Sequence, residues 1–318
     1  MAITTVGTPL AWGGFIAFVL AMLAIDLGVF HRKTHAIGVR EAAIWSGVWV
    51  TLAAVFNVLV YFWFGSVRAL EFTTGYLIEK ALAVDNIFVF VVIFATFGVP
   101  RVYQHRVLFW GVLGALVMRA AFILAGGAFL QRFHWAIYVF GAVLAVTGIK
   151  LLLQRHQELH PERNPVVRAF RRLFPVTTDF AGDRFTVLRA GRRFATPLLL
   201  ALVAVEVTDV IFAVDSIPAI FAVTQDPFIV FTSNIFAILG LRSLYFLLAA
   251  VITKFVYLKA GLSVVLIFVG AKMLLMDVYK LPIAVSLGVI AGILAVSVVA
   301  SLLRPARATA TAGDETHP

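Results

Sequence analysis

Six carboxylates fall inside stretches that otherwise read as membrane-crossing helix: Asp26, Glu79, Asp85, Glu206, Asp209 and Asp215. Four of them belong to two copies of one pattern. Glu79-Lys80-Ala81-Leu82-Ala83-Val84-Asp85-Asn86-Ile87 matches Asp209-Val210-Ile211-Phe212-Ala213-Val214-Asp215-Ser216-Ile217: an acid, later Ala-Val-Asp, then Asn or Ser, then Ile. A charged side chain at the bilayer centre costs about 2.5–3.5 kcal/mol or more, so such residues pair, face hydrated space or handle an ion. A duplicated acidic pattern points to cations. The chain has no cysteine. Any bound metal therefore relies on oxygen ligands or a few His, which favours harder ions.

Asp85 and Asp215 are the leading candidates. Asn86 and Ser216 follow them with polar side chains, and Pro218, which has no amide hydrogen, frees carbonyls near positions 214 and 215. Carboxylates, carbonyls and an amide or hydroxyl make an oxygen-rich shell suited to a divalent ion. Glu79, Asp209 and Glu206 form a second set. Six positions separate Glu79 from Asp85 and Asp209 from Asp215, which on a regular helix is a rotation of about 120°. One ion cannot take both acids of a pair unless the helix breaks, so one acid of each could instead carry a proton or pair with a base. Asp26, near the end of the first span, either faces the interface, pairs with a base or touches the ion. Asp226 and Asp277 are read as solvated helix ends.

Five bases lie in the same apolar stretches: Lys80, Arg119, Lys150, Arg242 and Lys272. Arg119 and Arg242 are expected to neutralise carboxylates in the ion-free state, and Lys150 and Lys272 to snorkel to water. Asn57, Ser233 and Asn234 are read either as helix–helix glue or as ligands. No His stands at metal-ligand spacing, and no phosphate-cradling loop, nucleophile triad or zinc-protease pattern occurs. The chain is not read as an enzyme, and no ATP-binding motif is there to power it.

The elements that must position these groups are helices. Hydrophobic residues make up 62% of the 318 and charged ones 13%, against about 25% charged in soluble domains. Nine segments are apolar over a length that can cross a core roughly 30 Å thick: about 10–30, 42–64, 76–98, 107–130, 133–153, 196–223, 228–251, 258–276 and 281–303. The expectation is an all-α polytopic bundle, one domain over 1–318. The first segment is read as a retained helix, because basic residues follow it instead of preceding it and no small-residue cleavage site ends it. Of the 26 Lys and Arg, 18 fall in loops on one side of this arrangement and three, Arg68, Arg132 and Lys280, on the other. The positive-inside rule places the N-terminus outside and the C-terminus, with a tail at 304–318, in the cytoplasm. The net charge of +10 is thus a topology signal and not a nucleic-acid footprint. The stretch 154–194 holds nine of those arginines and three prolines. It is read as a basic cytoplasmic linker, carrying the topology signal and able to meet anionic headgroups.

An internal repeat extends past the acidic pattern. Arg119 in span 4 has a counterpart in Arg242 in span 7, and Gly148-Ile149-Lys150 in span 5 corresponds to Gly270-Ala271-Lys272 in span 8. Spans 3–5 and 6–8 carry the same signals in the same order. Three helices per unit is an odd number, so the two units must lie inverted, as in many secondary transporters.

The segments Gly75-Tyr76-Leu77-Ile78-Glu79-Lys80-Ala81-Leu82-Ala83-Val84-Asp85-Asn86, Asp209 through Ile220, and Thr232-Ser233-Asn234-Ile235-Phe236-Ala237-Ile238-Leu239-Gly240-Leu241-Arg242 strongly resemble the TerC family of integral membrane proteins. The resemblance implies a nine-helix protein of the bacterial inner (plasma) membrane, within the broader LysE-type transporter group. It implies export of Mn(II) as the transported substrate, with Glu79, Asp85, Asp209, Asp215 and Glu206 handling the metal. Other members are linked to tellurite resistance and to supplying metal to secreted enzymes. The expected function is therefore Mn(II) export coupled to protons. The alternatives are a metal-sensing scaffold or delivery factor and an oxyanion resistance protein, the last disfavoured by the excess of embedded acids.

Overall fold

A computed structural model of the chain describes residues 5–30, 38–133, 135–153, 164–189, 191–249, 257–279 and 281–303. The connections at 31–37 and 250–256, the start of the 154–194 stretch and the 304–318 tail lie outside these residues. Ten helices and one hairpin follow in order: α1 Pro9–Phe30, α2 Val39–Thr96, α3 Arg101–Arg132, α4 Ala136–Leu153, α5 Pro165–Leu173, β1 Thr186–Arg189, β2 Arg192–Ala195, α6 Pro197–Phe221, α7 Pro227–Leu239, α8 Leu241–Ala249, α9 Leu258–Leu274 and α10 Ile283–Leu303. Among the described residues four stretches are long and apolar enough to cross a membrane: Arg101–Leu130, Ala136–Leu153, Pro197–Phe221 and Ile283–Leu303. The pair α7 and α8, bent by 43° at Gly240, makes a fifth if it acts as one broken span. The chain is an all-α multi-pass bundle.

α2 is two helices. Gly65 has φ 87° and ψ 174°, a conformation that side-chain-bearing residues rarely adopt. The chain reverses there. Asn57 Nδ2 donates to Thr73 Oγ1 at 2.8 Å, and the Phe56 and Phe72 rings lie 5.4 Å apart. Sixteen residues of continuous helix would hold such groups about 24 Å apart. Residues 66–75, which the hydropathy pattern leaves as a loop, are helical instead. One glycine makes the turn, so the returning arm begins at once.

The packing uses two different devices. Around α1, both arms of α2 and α7, phenylalanines interlock: Phe15, Phe56, Phe72 and Phe236 meet with ring centroids 4.9–6.0 Å apart. Aromatic pairs at such distances add about 0.5–1.5 kcal/mol each beyond burial. Many of the 29 phenylalanines are therefore core. Between α4 and α9 the seam is glycine. A Cβ at Gly270 would lie 2.6 Å from the Ala145 amide nitrogen and the Gly141 carbonyl oxygen, and one at Gly148 would lie 2.7 Å from the Ser263 carbonyl oxygen. The two backbones touch, antiparallel, as small residues allow between membrane helices.

The stretch expected as a linker is built. α5 is capped by Asn164, whose side chain accepts from the Val166 amide, and β1 pairs antiparallel with β2 in the register Val187–Phe194 and Leu188–Arg193. Gly191, at φ 75°, turns the hairpin.

Gly270→Leu should unfold the α4–α9 seam, lowering stability by about 1–3 kcal/mol or more, since only backbone stands in the way. Gly292→Leu, on α10 with nothing within 4 Å of the new Cβ, should be neutral. Thermal unfolding in detergent, followed by size exclusion, compares the two. Equal melting points would contradict the seam.

Candidate functional site

Asp209 and Ser216 are seven positions apart on α6, so they share one helix face. Opposite them stand Glu79 on the second arm of α2 and Arg119 on α3. All four side chains are buried, Arg119 to 1% exposure and Glu79 to 0%. The Arg119 guanidinium ties them together. Its Nε donates to Asp209 Oδ2 at 3.2 Å and its Nη2 to Asp209 Oδ1 at 3.0 Å, a two-pronged carboxylate clasp. Its Nη1 donates to Glu79 Oε1 and, at 3.2 Å, to Ser216 Oγ. Arg119 is thus the counter-ion of two carboxylates that hold the same place in the two copies of the acidic pattern.

Among the described residues this group shows one cation for two acids. With both acids ionised, one guanidinium faces two carboxylates, and Glu79 Oε2 has no hydrogen-bond partner among the described residues. Beside Asp209 lies a small void of about 10 Å³ walled by Phe90, Leu108, Val112 and Leu241. Glu206, one turn earlier on α6, extends past this group toward α3. Its carboxylate occupies the space that a Cβ at Gly114 would take, and its Oε2 also lacks a partner among the described residues. A side chain at 114 would have to push that flexible carboxylate aside.

The remaining expected site residues fall as follows. Asn86 is buried to 2% on α2, one step past Asp85. Arg242 is buried in the first turn of α8, just after the bend at Gly240. Asp26, Asp85 and Asp215 lie on α1, α2 and α6, and their side chains are outside the described residues. Among the described residues no three His, Asp or Glu side chains gather to hold a metal ion. α6 runs as helix through Pro218 to Phe221, and α2 is helical across 79–86, so within each copy the two acids keep their separate faces.

Three groups carry more than the sequence suggests. Lys80, next to Glu79, turns to a different neighbour: its Nζ donates to the Ala237 carbonyl at 3.1 Å, in the last turn of α7, and lies against Gly240. Asn234, on α7, is fully buried, and neither its Oδ1 nor its Nδ2 has a partner among the described residues. Asp226, expected to be solvated, is 2% exposed. It caps α7 by accepting from the Phe228 and Ile229 amides, and it accepts from Thr5 Oγ1 at 2.9 Å and the Val6 amide at 2.7 Å. The physical reason is that the N-terminal segment folds over the helix end and brings its own donors. Next to it, Glu71 accepts from Thr224 Oγ1 and Arg68 Nη1, both at 2.7 Å. Asp277, by contrast, is exposed and accepts from the Tyr138 hydroxyl.

The profile of the integral membrane protein TerC family matches residues 64–309. An uncharacterized membrane protein of Myxococcus xanthus is 59% identical over 310 residues, covering 98% of this chain and 97% of its own. A Salmonella typhi protein named "Putative membrane-bound redox modulator Alx" is 51% identical over 304 residues, 93% of this chain and 94% of its own. An uncharacterized membrane protein of Rickettsia bellii is 38% identical over 295 residues, 93% and 98% of the two chains. No solved structure matches the chain.

Arg119→Ala should destabilise the fold by about 3–5 kcal/mol, because it leaves buried carboxylates without their counter-ion. Adding Glu79→Gln and Asp209→Asn in the same chain should restore most of that loss. The check is the yield and melting temperature of monodisperse protein in detergent for the single and triple variants. A triple variant no better than Arg119→Ala would show that the guanidinium is needed for something other than charge balance.

Proposed function

The chain belongs to the TerC family of integral membrane proteins, and on that premise we propose that it is a secondary transporter exporting Mn(II) from the cytoplasm in exchange for protons. The observation that carries this reading is the Arg119 clasp on Glu79 and Asp209, the corresponding acids of the duplicated pattern. Buried acids held ready by a permanent cation are what an ion-free, proton-exchanging site requires. Arg remains charged at any physiological pH, so it can hold them while the ion is away. The donor set is all oxygen, which suits a hard divalent ion such as Mn(II). Asp85 and Asp215 are the proposed direct ligands, with Asn86, Ser216 and Glu206 adding oxygens, Glu79 and Asp209 passing between Arg119 and the ion, and Arg242 and Asp26 as further supporting charges.

The proposed topology has nine spans: α1, the two arms of α2, α3, α4, α6, the broken pair α7–α8, α9 and α10. The N-terminus lies outside and the C-terminus inside the inner membrane of a bacterium. In this frame α2's second arm, α3 and α4 form one unit, and α6, α7–α8 and α9 the inverted other. Supporting it, the glycines of the two Gly-x-Lys signals, Gly148 and Gly270, both lie in the antiparallel α4–α9 seam. The relatives' printed description as a redox modulator does not lend this chain a thiol mechanism, since it has no cysteine.

Inside-out vesicles test the reading, offering Mn, Ca, Fe or Zn ions with and without an acidic interior. Mn(II) should accumulate, and faster with the acidic interior. Low pH on the cytoplasmic face protonates carboxylates and excludes the metal, and high pH frees them, so uptake should rise as the outer solution becomes alkaline. Asp85→Asn and Asp215→Asn should each abolish uptake while leaving insertion intact, because removing a charge from a spanning helix eases insertion. Normal uptake in both variants at matched expression would refute the site, and no uptake of any ion by the parent protein would refute the function.

A further inference from the structure

α5 and the β1–β2 hairpin dock on one end of the bundle. Asp183 pairs with Arg106 in the first turns of α3, whose guanidinium also lies 5.3 Å from the Phe185 ring. Phe180 meets Tyr103 at 6.4 Å, and Arg171 of α5 sits over the ring of Phe97 at the end of α2. β2 leads through Thr196 straight into α6. Two of the elements touched, α3 and α6, are membrane-crossing by length and composition, and the contacts are at their starting ends. The module is therefore held at the level of the bilayer surface.

Its apolar surface exceeds what the protein covers. On the α5 wheel, Val167 and Phe170 fall on one arc and pack inward, Val167 to 0% exposure. Val166, Ala169 and Leu173 fall on the adjoining arc, about 60° wide, and all three are exposed, Leu173 to 76%. The arginines Arg168, Arg171 and Arg172 take the opposite side. The hairpin repeats the arrangement: Leu188, 69% exposed, pairs with Arg193, and Arg189 pairs with Arg192 at the tip. In 164–195 the only acids are Asp179 and Asp183, and Asp183 is engaged by Arg106. A helix with an apolar edge and a basic face lying at the interface plane is the form of an interfacial anchor.

We propose that α5 and the β1–β2 hairpin form a docking surface for anionic phospholipid, with Leu173 and Leu188 entering the headgroup–acyl boundary and Arg172, Arg189, Arg192 and Arg193 binding headgroup phosphates. A basic residue close to an anionic surface is worth about fivefold in partitioning, so three together give on the order of a hundredfold. The surface stands whether or not the chain transports an ion.

Because the chain lacks cysteine, Leu173→Cys and Leu188→Cys each give a single attachment point for a nitroxide. The labelled full-length protein is placed in nanodiscs of phosphatidylcholine alone or mixed with phosphatidylglycerol. Collision with lipid-soluble oxygen and with a water-soluble nickel chelate is then measured by electron paramagnetic resonance. Both labels should shift several-fold toward oxygen when phosphatidylglycerol is present. Arg189→Gln with Arg192→Gln and Arg193→Gln in the labelled chain should abolish that shift without changing elution in detergent. Labels that stay chelate-accessible in both discs would overturn the proposal. So would equal immersion in both, which means apolar anchoring without headgroup recognition, or dipolar broadening from a second copy, which means the face is a protein interface.

Discussion

The constraint on which the rest depends is the burial of the Arg119 guanidinium. A permanent cation inside an apolar bundle must have its donors satisfied and its charge answered in place. Here α2 supplies Glu79, and α6 supplies Asp209 and Ser216. Three helices are thereby fixed in register by one side chain. The clasp on Asp209 is geometric as well as electrostatic: two donors in one plane meet two oxygens of one carboxylate, which sets the rotation of α6 about its axis. With Asp209 turned toward α3, regular helix geometry directs position 215 about 120° away.

The contrast with the α4–α9 seam is physical. Lipid tails are as apolar as leucine side chains, so burial of apolar surface does little to hold membrane helices together. The bundle uses close backbone contact where there is no charge and ion pairing where there is. Gly141, Gly148 and Gly270 serve the first purpose and Arg119 the second, while Lys80 donates a charged hydrogen bond to a neutral carbonyl. The phenylalanine cluster around Phe236 packs α1 and the two arms of α2 against α7.

Much of this was legible in the sequence. The bundle class, the two acidic copies and the assignment of Arg119 as a counter-ion all follow from the cost of charge in an apolar helix, a cost large enough to leave few alternatives. What escaped depends on tertiary context. Hydropathy places a loop at 65–75, because Arg68 and Glu71 lower the average, but the two residues answer each other and Thr224 across the bundle. Asp226 reads as solvated because its donors, Thr5 and Val6, are more than 200 positions away. The 164–195 module reads as linker because the four-residue strands are too short for any periodic signal. The partner of Lys80 could not be read either. A backbone carbonyl has no sequence signature, and only the helix end near Gly240 makes one available.

Glu79 and Lys80 together show how the centre of the bundle is divided. Adjacent residues on a helix point about 100° apart, so this dipeptide directs an acid toward α3 and α6 and a base toward α7. Lys80 places its ammonium at the carbonyl end of α7, where the helix dipole favours positive charge. In the two-unit frame proposed above, the Arg119–Asp209 and Lys80–Ala237 bonds both cross from one unit to the other. The glycine seam between α4 and α9 crosses as well. A rocking of one unit against the other would have to break both polar links. Breaking them in a dry interior is expensive unless another charge arrives to replace the one withdrawn. A divalent cation reaching Glu79 and Asp209 supplies such a replacement for Arg119, and so do protons on the same carboxylates. On the transport reading proposed above, an empty, unprotonated centre has neither and holds the Arg119 link closed, which would couple movement to occupancy through the buried charges.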